Sequence, residues 1–436
     1  MELQTTKQAQ RSIKFPGIIT RGHYFDVPLD YSRSRGSTIK VFAREIISSA
    51  NETAQALPWL IFLQGGPGFP SPRPEGAAGW IKRALQNYRV LLLDQRGTGL
   101  STPVTHQTLA SIAEPQKQMD YLLHFRADNI VRDCETIRKS LAESKPWTVL
   151  GQSFGGFCIT TYLSQASEGL SAAILTGGLP PLVDQPDAVY RATYKQLIDK
   201  NKLYYDRFPD DVELVRRIVK HLQTNEIVLP CGEILTARRF LQLGIGLGFT
   251  AAGTGINTIH YLLEKAFVNA ESAETISYAF LRGIENMLDF NTNPIYALLH
   301  EAIYCQKQAS NWSAERILAE YPEFDLNNNP IYFTGEMVYS WMFDEYSCLR
   351  PLKHAAQLLA EYSDWPEIYN VDSLRQNTVP CAASIYYNDM YVDRQFAEET
   401  ARTISGIKVW ITNEFEHDGL RVEGEKVLEH LLALLQ

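Results

Sequence analysis

A serine flanked by glycines is the first candidate for chemistry in this chain. Residues 151–155 read GQSFG, after a short apolar run at 147–150 and before a helix-compatible segment at 156–164. In a strand, sharp turn and helix, glycines avoid steric clashes and the turn lifts the Ser153 hydroxyl clear of the sheet. The helix N-terminus would also favour a developing oxyanion. The flanking segments therefore favour a nucleophilic serine over the alternative, a chance match in a loop.

A base and an acid for Ser153 are predicted near the C-terminal end of the chain. His417 follows the last predicted strand, and Asp389 follows the predicted strand at 380–387. The chain order serine, aspartate, histidine is the one used by hydrolases with a Gly-x-Ser-x-Gly turn. Asp393 is the competing acid, but its position before a predicted helix favours an N-cap role. We therefore predict a triad of Ser153, Asp389 and His417.

Backbone donors for an oxyanion are predicted beside the serine. Residues 64–68 read QGGPG and follow the apolar run at 59–63. Glycines let backbone N–H groups approach a ligand closely, and this position supplies the second oxyanion donor in such hydrolases. We predict an oxyanion hole built from Gly65 or Gly66 together with Phe154. A plain turn is the alternative interpretation.

The segments around these residues read as strands that are separated by helices. Short apolar runs separated by helix-length segments are typical of parallel strands buried on both faces, and they lie at 59–63, 89–93, 147–150 and 172–175. Residues 17–46 alternate in polarity around a turn, which predicts an antiparallel start to the sheet. Strand patterns return at 380–387 and 407–412, each followed by a predicted helix.

The middle of the chain differs in character. Residues 182–370 read as helical and rich in aromatic side chains, and we call this segment the cap. The sequence GIGLG at 244–248 follows a helix, which favours a helix-to-helix connection over a dinucleotide loop. We predict an α/β-hydrolase fold, a mostly parallel sheet with helices on both faces and an inserted helical cap. The core would comprise residues 1–181 and 371–436.

Composition narrows the class of protein. The chain has 436 residues, 21% charged and 45% hydrophobic, with a net charge of -9. This profile is typical of a globular protein, and the absence of a basic run argues against a nucleic-acid partner. A polar start and the lack of an apolar stretch of about 20 residues predict a cytoplasmic protein with no membrane segment. Six scattered cysteines are predicted to be reduced core thiols, with no metal framework.

Three motifs together resemble the proline iminopeptidase (prolyl aminopeptidase) family of α/β hydrolases. They are QGGPG at 64–68, DQRGTGLS at 94–101 and GQSFGG at 151–156, and EHDG at 416–419 also fits that family. The resemblance covers nearly the whole chain. Gln64 departs from it, since the family usually has histidine there, and the long cap is similar to that of the larger members.

The resemblance implies a serine aminopeptidase that releases an N-terminal residue, preferentially proline, from short peptides with a free N-terminus. No metal or organic cofactor is implied. Other acyl hydrolases, such as esterases, use the same triad, and a non-catalytic binding protein on this scaffold is a third interpretation. The sequence leaves the oligomeric state open. Within 94–101, Asp94 and Arg96 have no derivable reactive role and are predicted to serve in a structural ion pair.

An enzyme that trims N-termini must also bind a cationic amine. A buried cation needs anionic partners, so carboxylates are expected to project from the cap toward Ser153. Glu301, on a predicted helix, and Glu336, in the aromatic-flanked stretch FTGEM, lie in segments similar to those carrying the family's amine-binding glutamates. The alternative is that both are ordinary helix-surface glutamates, with Glu345 as a fallback.

Overall fold

In the part of the chain that the structure describes, ten strands form one central sheet. The computed structural model describes residues 8–9, 11–33, 36–51, 53–251, 253–269 and 275–436. The strands are β1 Gln8–Ala9, β2 Ile13–Phe15, β3 Ile18–Pro28, β4 Thr38–Ser48, β5 Trp59–Leu63, β6 Arg89–Asp94, β7 Trp147–Gln152, β8 Leu170–Thr176, β9 Cys381–Tyr386 and β10 Lys408–Thr412. Their order is β1-β3-β4-β6-β5-β7-β8-β9-β10, with β2 paired to β3.

The direction of pairing changes once across this sheet. β4 pairs antiparallel with both β3 and β6. From β6 onward the pairs β6–β5, β5–β7, β7–β8, β8–β9 and β9–β10 are all parallel. All residues of β5 are buried, because alternate side chains enter two different cores. Ile61 and Leu63 lie in the larger apolar cluster, while Leu60 and Phe62 lie in the smaller one. The predicted apolar runs are therefore confirmed as strands buried on both faces.

Helices cover both faces of the sheet. They are α1 Gly79–Ala84, α2 His106–Ala110, α3 Pro115–Leu122, α4 Ala127–Leu141, α5 Phe154–Gln165, α6 Asp187–Arg207, α7 Asp211–Thr224, α8 Ala237–Leu241, α9 Ile256–Leu263, α10 Tyr278–Met287, α11 Pro294–Leu299, α12 Ser313–Leu318, α13 Met342–Glu345, α14 Lys353–Glu361, α15 Val371–Arg375, α16 Arg394–Thr403, α17 Gly419–Val422 and α18 Gly424–Leu434. α4 and α5 contribute to the larger cluster, and α1 and α18 to the smaller one. None of the helices described here has the length and apolar character needed to cross a membrane.

The segment between β8 and β9 is helical, as predicted. Within its described part, α6 to α15 and short 3-10 turns alternate without a named strand. The GIGLG stretch forms part of the 3-10 helix Gln242–Gly248 between α8 and α9, so the predicted helix-to-helix connection is confirmed. The strands on either side are neighbours, with Ala173 paired to Cys381. The exact domain boundaries at 181 and 370 remain a prediction.

The cysteines correct one expectation. All six are free, and Cys134, Cys158, Cys305 and Cys381 are buried. Cys231 is exposed, however, and Cys348 is half-buried, so the prediction of core thiols is wrong for these two. Cys231 lies in the segment between α7 and α8, where its backbone N–H donates to Glu285 Oε1.

Candidate active site

Ser153 occupies a strained turn between a strand and a helix. β7 ends at Gln152 and α5 begins at Phe154, and the serine between them has φ 54° and ψ -124°. A non-glycine residue in such a conformation costs on the order of 1–3 kcal/mol, which the surrounding packing must offset. That packing is close: a Cβ at Gly155 would lie 2.0 Å from the Leu63 carbonyl oxygen. The glycines of the motif are therefore required by sterics, as the sequence predicted.

His417 is held by Asp389. The imidazole Nδ1 lies 2.7 Å from Asp389 Oδ2. The other carboxylate oxygen accepts backbone N–H groups from Tyr391 at 2.9 Å and Val392 at 3.0 Å. An ionised carboxylate only accepts, so the shared hydrogen lies on Nδ1 and the lone pair of Nε2 is left for a second partner. This is the tautomer that a general base requires.

The charge environment of His417 favours the imidazolium. Burial lowers the pKa of His417, but the charge and hydrogen bond of Asp389 oppose this, and the carboxylates of Glu336 and Asp418 add to that opposition. The net pKa is raised above its ordinary value. The buried imidazole is therefore prepared to receive a proton.

Two structural contacts connect the serine turn to the histidine. Gln152 Nε2 donates to the His417 carbonyl oxygen at 3.0 Å. The two glycines after β8 fill the space nearby: a Cβ at Gly177 would lie 3.2 Å from His417 Nδ1, and one at Gly178 would lie 2.4 Å from the Ser153 carbonyl oxygen. The end of β8 thus packs against both the serine turn and the histidine ring.

Two of the predicted oxyanion donors adjoin Ser153, since Gly65 packs against its side chain and Phe154 follows it in the chain. A Cβ at Gly65 would lie 3.0 Å from Ser153 Cβ and 3.5 Å from its Oγ. The corresponding atom at Gly66, with φ 132°, would instead meet Phe69 at 2.9 Å. Phe154 is the first residue of α5, so its N–H has no acceptor within the helix. Of the two glycines, Gly65 is the one against the serine side chain.

Glu301 is buried in the cap, and its carboxylate binds the N-terminus of a helix. It begins the 3-10 helix Glu301–Tyr304 and is 7% exposed. Its carboxylate oxygens accept the N–H groups of Ser313 at 3.2 Å and Ala314 at 2.9 Å, at the start of α12. Burial raises the pKa of Glu301 despite these bonds. This position is not on an exposed helix face, so the surface-glutamate alternative fails here.

Glu336 is buried in a loop beside His300. It is 8% exposed, and its Oε2 lies 3.5 Å from His300 Nε2. Tyr296 donates its hydroxyl to the Glu336 carbonyl oxygen at 3.1 Å, and its ring stacks on His300 at 4.6 Å. The charge of Glu336 also contributes to the raised pKa of His417. This residue therefore lies among buried aromatic side chains and beside His300.

The competing candidates have other partners. Asp393 caps α16, and its Oδ1 accepts the Gln395 N–H at 2.9 Å. Glu345, the fallback for amine binding, accepts from Arg238 Nε at 2.6 Å. The predicted N-cap role of Asp393 is thereby confirmed, and Glu345 is already engaged in a surface ion pair.

The expected ion pair between Asp94 and Arg96 is wrong. Asp94 pairs with Arg73, whose Nη1 lies 2.9 Å from Oδ1. Arg96 is fully buried and binds Asp133 through two nitrogens, at 2.7 and 2.6 Å. Asp94 ends β6, and the turn after it directs the two side chains to different neighbours. The stretch does border the glycine loop, since Gln95 donates to the carbonyl oxygen of residue 64 at 3.0 Å.

Sequence reasoning missed the partners of the histidine loop. Lys200 Nζ lies 2.5 Å from Glu416 Oε2, and the Asp418 carboxylate accepts N–H groups from Thr250 and Ala251. The EHDG motif marked the loop, but no local signal connected it to residues of the cap. The contact between His300 and Glu336 was likewise not predicted.

Together, the sheet order and the strained serine turn define the class: the chain is an α/β hydrolase. The family model for the alpha/beta hydrolase fold matches residues 58–220. The chain is 47% identical to the proline iminopeptidase of Aeromonas sobria over 96% of this chain and 97% of that one. It is 38% identical to the proline iminopeptidase aneH of Aspergillus aculeatus, over 94% of this chain and 92% of that one. The chain belongs to the proline iminopeptidase family.

Solved structures are similar at lower sequence identity. The crystal structure of esterase E22 has a TM-score of 0.49 and 11% identity, and covers 96% of this chain and 100% of that chain.

Proposed function

We propose that this protein is a serine aminopeptidase that releases an N-terminal residue, preferentially proline, from short peptides. The observation that carries the proposal is the buried bond of 2.7 Å between His417 and Asp389 beside the Ser153 turn. The proline preference follows the names of the two relatives, both of which are proline iminopeptidases.

In the proposed acylation step, Ser153 Oγ attacks the carbonyl carbon of the substrate's N-terminal residue, while His417 Nε2 takes the proton of the serine hydroxyl. The carbonyl π electrons move onto oxygen, and the N–H groups of Phe154 and Gly65, or Gly66, stabilise that oxyanion. His417 then returns the proton to the leaving amine, and the C–N bond breaks. Asp389 orients the imidazole and stabilises its charged form.

Water completes the proposed cycle. It attacks the acyl-enzyme as His417 takes a proton, and collapse of the second tetrahedral intermediate releases the free amino acid and returns a proton to Ser153 Oγ. None of these steps uses a metal or an organic cofactor.

Recognition of the free N-terminus is assigned to cap carboxylates. Glu336 and Glu301 would neutralise the substrate ammonium, which cannot be buried without an anionic partner. The two backbone N–H groups that donate to the Glu301 carboxylate leave some of its lone pairs available, because a carboxylate has about four acceptor sites. Aromatic side chains such as Tyr296 suit the flat proline ring.

The cellular location belongs to the same proposal. Six free cysteines support a reducing compartment such as the cytoplasm, since oxidising compartments favour disulfides.

Chromogenic amides test the activity directly. Rates would be compared for amides of free N-terminal proline, alanine and leucine, an N-blocked proline amide and a short-chain ester. We expect the free proline amide to have the highest kcat/KM and the blocked amide to be inert. Ester hydrolysis without amide hydrolysis would favour an esterase, and no turnover with any substrate would favour a binding protein.

A further inference from the structure

The loop that carries His417 is bound to the cap at three consecutive residues. The Glu416 carboxylate pairs with Lys200 Nζ on α6 at 2.5 Å. The backbone N–H of His417 donates to the Gly248 carbonyl oxygen at 3.3 Å. The sequence EHD thus begins with two contacts to different parts of the cap.

Asp418 supplies the third contact. Its Oδ2 accepts the backbone N–H groups of Thr250 at 2.9 Å and Ala251 at 2.7 Å, and its Oδ1 accepts the Thr250 hydroxyl at 3.2 Å. The side chain is 3% exposed, so these bonds are sheltered from water. The position of the histidine therefore depends on cap residues as well as on the sheet.

The Lys200 ammonium is an unusual choice for such a contact. Lys200 is 4% exposed, and its partner Glu416 is largely buried as well. A buried ion pair is seldom more stabilising than an apolar pair of similar size, because both charges must be desolvated. A contribution to fold stability alone does not explain why a charged pair is used next to the base.

The pair of Lys200 and Glu416 lies among several carboxylates close to His417. Burial raises the pKa of Glu416, and the nearby carboxylates of Asp389 and Asp418 raise it further. The charge and hydrogen bond of Lys200 oppose this rise, and the net pKa is above its ordinary value. The charged groups around His417 include the carboxylates of Asp389, Glu336 and Asp418, together with Glu416 and its partner Lys200. On the same loop, Glu414 pairs with the exposed Lys426.

We propose that Lys200 is a positioning residue for His417. Through Glu416 it fixes the loop against α6 and offsets one of the negative charges that would otherwise keep the imidazole protonated. The proposal rests on the function proposed above only in taking His417 as the general base. The cap would thereby control both the geometry and the basicity of the base.

Single variants separate the two effects. K200M leaves Glu416 uncompensated, which favours the imidazolium, so the acid limb of the kcat profile should move to higher pH. E416Q leaves Lys200 as an uncompensated cation, so the limb should move to lower pH. Because a displacement of about 1 Å can cost 10²-fold in rate, both variants should lower kcat by about that factor with little change in KM.

The double variant K200M/E416Q removes both charges. We expect its acid limb to return to the wild-type position while kcat stays low, because the tether is lost. K200R should recover most of the activity, since it keeps the cation. K202M, which removes an exposed lysine on the same helix, is the matched control and should resemble wild type.

The readouts keep failure of the two proposals distinguishable. Profiles are measured with both a free proline amide and a neutral ester, and folding of each variant is checked by circular dichroism. Wild-type kcat and pH profile in K200M, or shifts of the same sign in K200M and E416Q, would overturn the role of Lys200. If K200M does not fold, E416Q and K200R decide the question. Absence of fluorophosphonate labelling in the wild type would instead overturn the proposed function.

Discussion

The Glu336 carboxylate lies 3.5 Å from the His300 imidazole, and no backbone amide is bonded to it among the described contacts. Glu301 differs, because its oxygens accept two backbone N–H groups at the start of α12. Two glutamates that the sequence treats alike therefore have different surroundings, and the consequences of removing them should differ.

Glu336→Ala should act on recognition of the amine. We expect kcat/KM for a free proline amide to fall by at least about 10²-fold, since a charge-assisted contact contributes a few kcal/mol. Hydrolysis of a small neutral ester should fall far less. Glu345→Ala is the matched control, because that carboxylate pairs with Arg238 instead. Equal losses on the amide and the ester would mean that Glu336 supports the fold and does not bind the amine.

Glu301→Ala should reduce stability as well as amine binding. Two buried N–H groups would lose their acceptor, which costs roughly 2–4 kcal/mol of unfolding free energy. Urea unfolding followed by fluorescence measures this, and Glu301→Gln, which keeps one acceptor oxygen, should lose less. Unchanged stability in Glu301→Ala would show that α12 does not depend on this carboxylate.

Ser153→Ala should abolish covalent labelling by fluorophosphonates. Turnover of the proline amide should fall to the residual rate that substrate binding and the oxyanion hole still provide, roughly 10³–10⁴-fold above the reaction in water. Ser164→Ala, which changes a serine at the other end of α5, is the control and should label normally. Labelling that survives in Ser153→Ala would place the nucleophile elsewhere.

Asp389→Asn should lower kcat by about 10⁴-fold, because the amide stabilises the wrong tautomer of His417. Asp393→Ala should instead cost only about 1 kcal/mol of stability, as expected for a lost N-cap. Steady-state rates and urea midpoints of both variants make the comparison. The reverse ranking of activities would assign the acid to Asp393.

The pH profile should report the carboxylates around His417. They raise the pKa of the imidazole, so ester hydrolysis should increase with pH through a value above the ordinary one of about 6.5. Glu336→Gln removes one negative charge, destabilises the imidazolium and should move this acid limb to lower pH. The ester is used so that amine binding does not contribute. An acid limb that moves to higher pH would contradict this account.

Local patterns in the sequence predicted local structure well. The strands of the sheet, the serine turn and the N-cap residue of α16 each depend on residues that are close together in the chain. The pair of Lys200 and Glu416 joins residues 216 positions apart, and no periodicity or spacing encodes such a contact. Asp94 and Arg96 show a related limit, because their proximity in sequence says little about where each side chain points after a turn.

The separation of Gln152 and His417 along the chain has a consequence for synthesis. They bond to each other although 265 positions separate them. At a translation rate of about 5–20 residues per second, the histidine is made roughly 13–53 s after the serine turn. During the whole of that interval the nascent chain contains the serine without the histidine. Under the proposed mechanism, Ser153 can be activated only once β9 and β10 have joined the sheet and brought Asp389 and His417 to it.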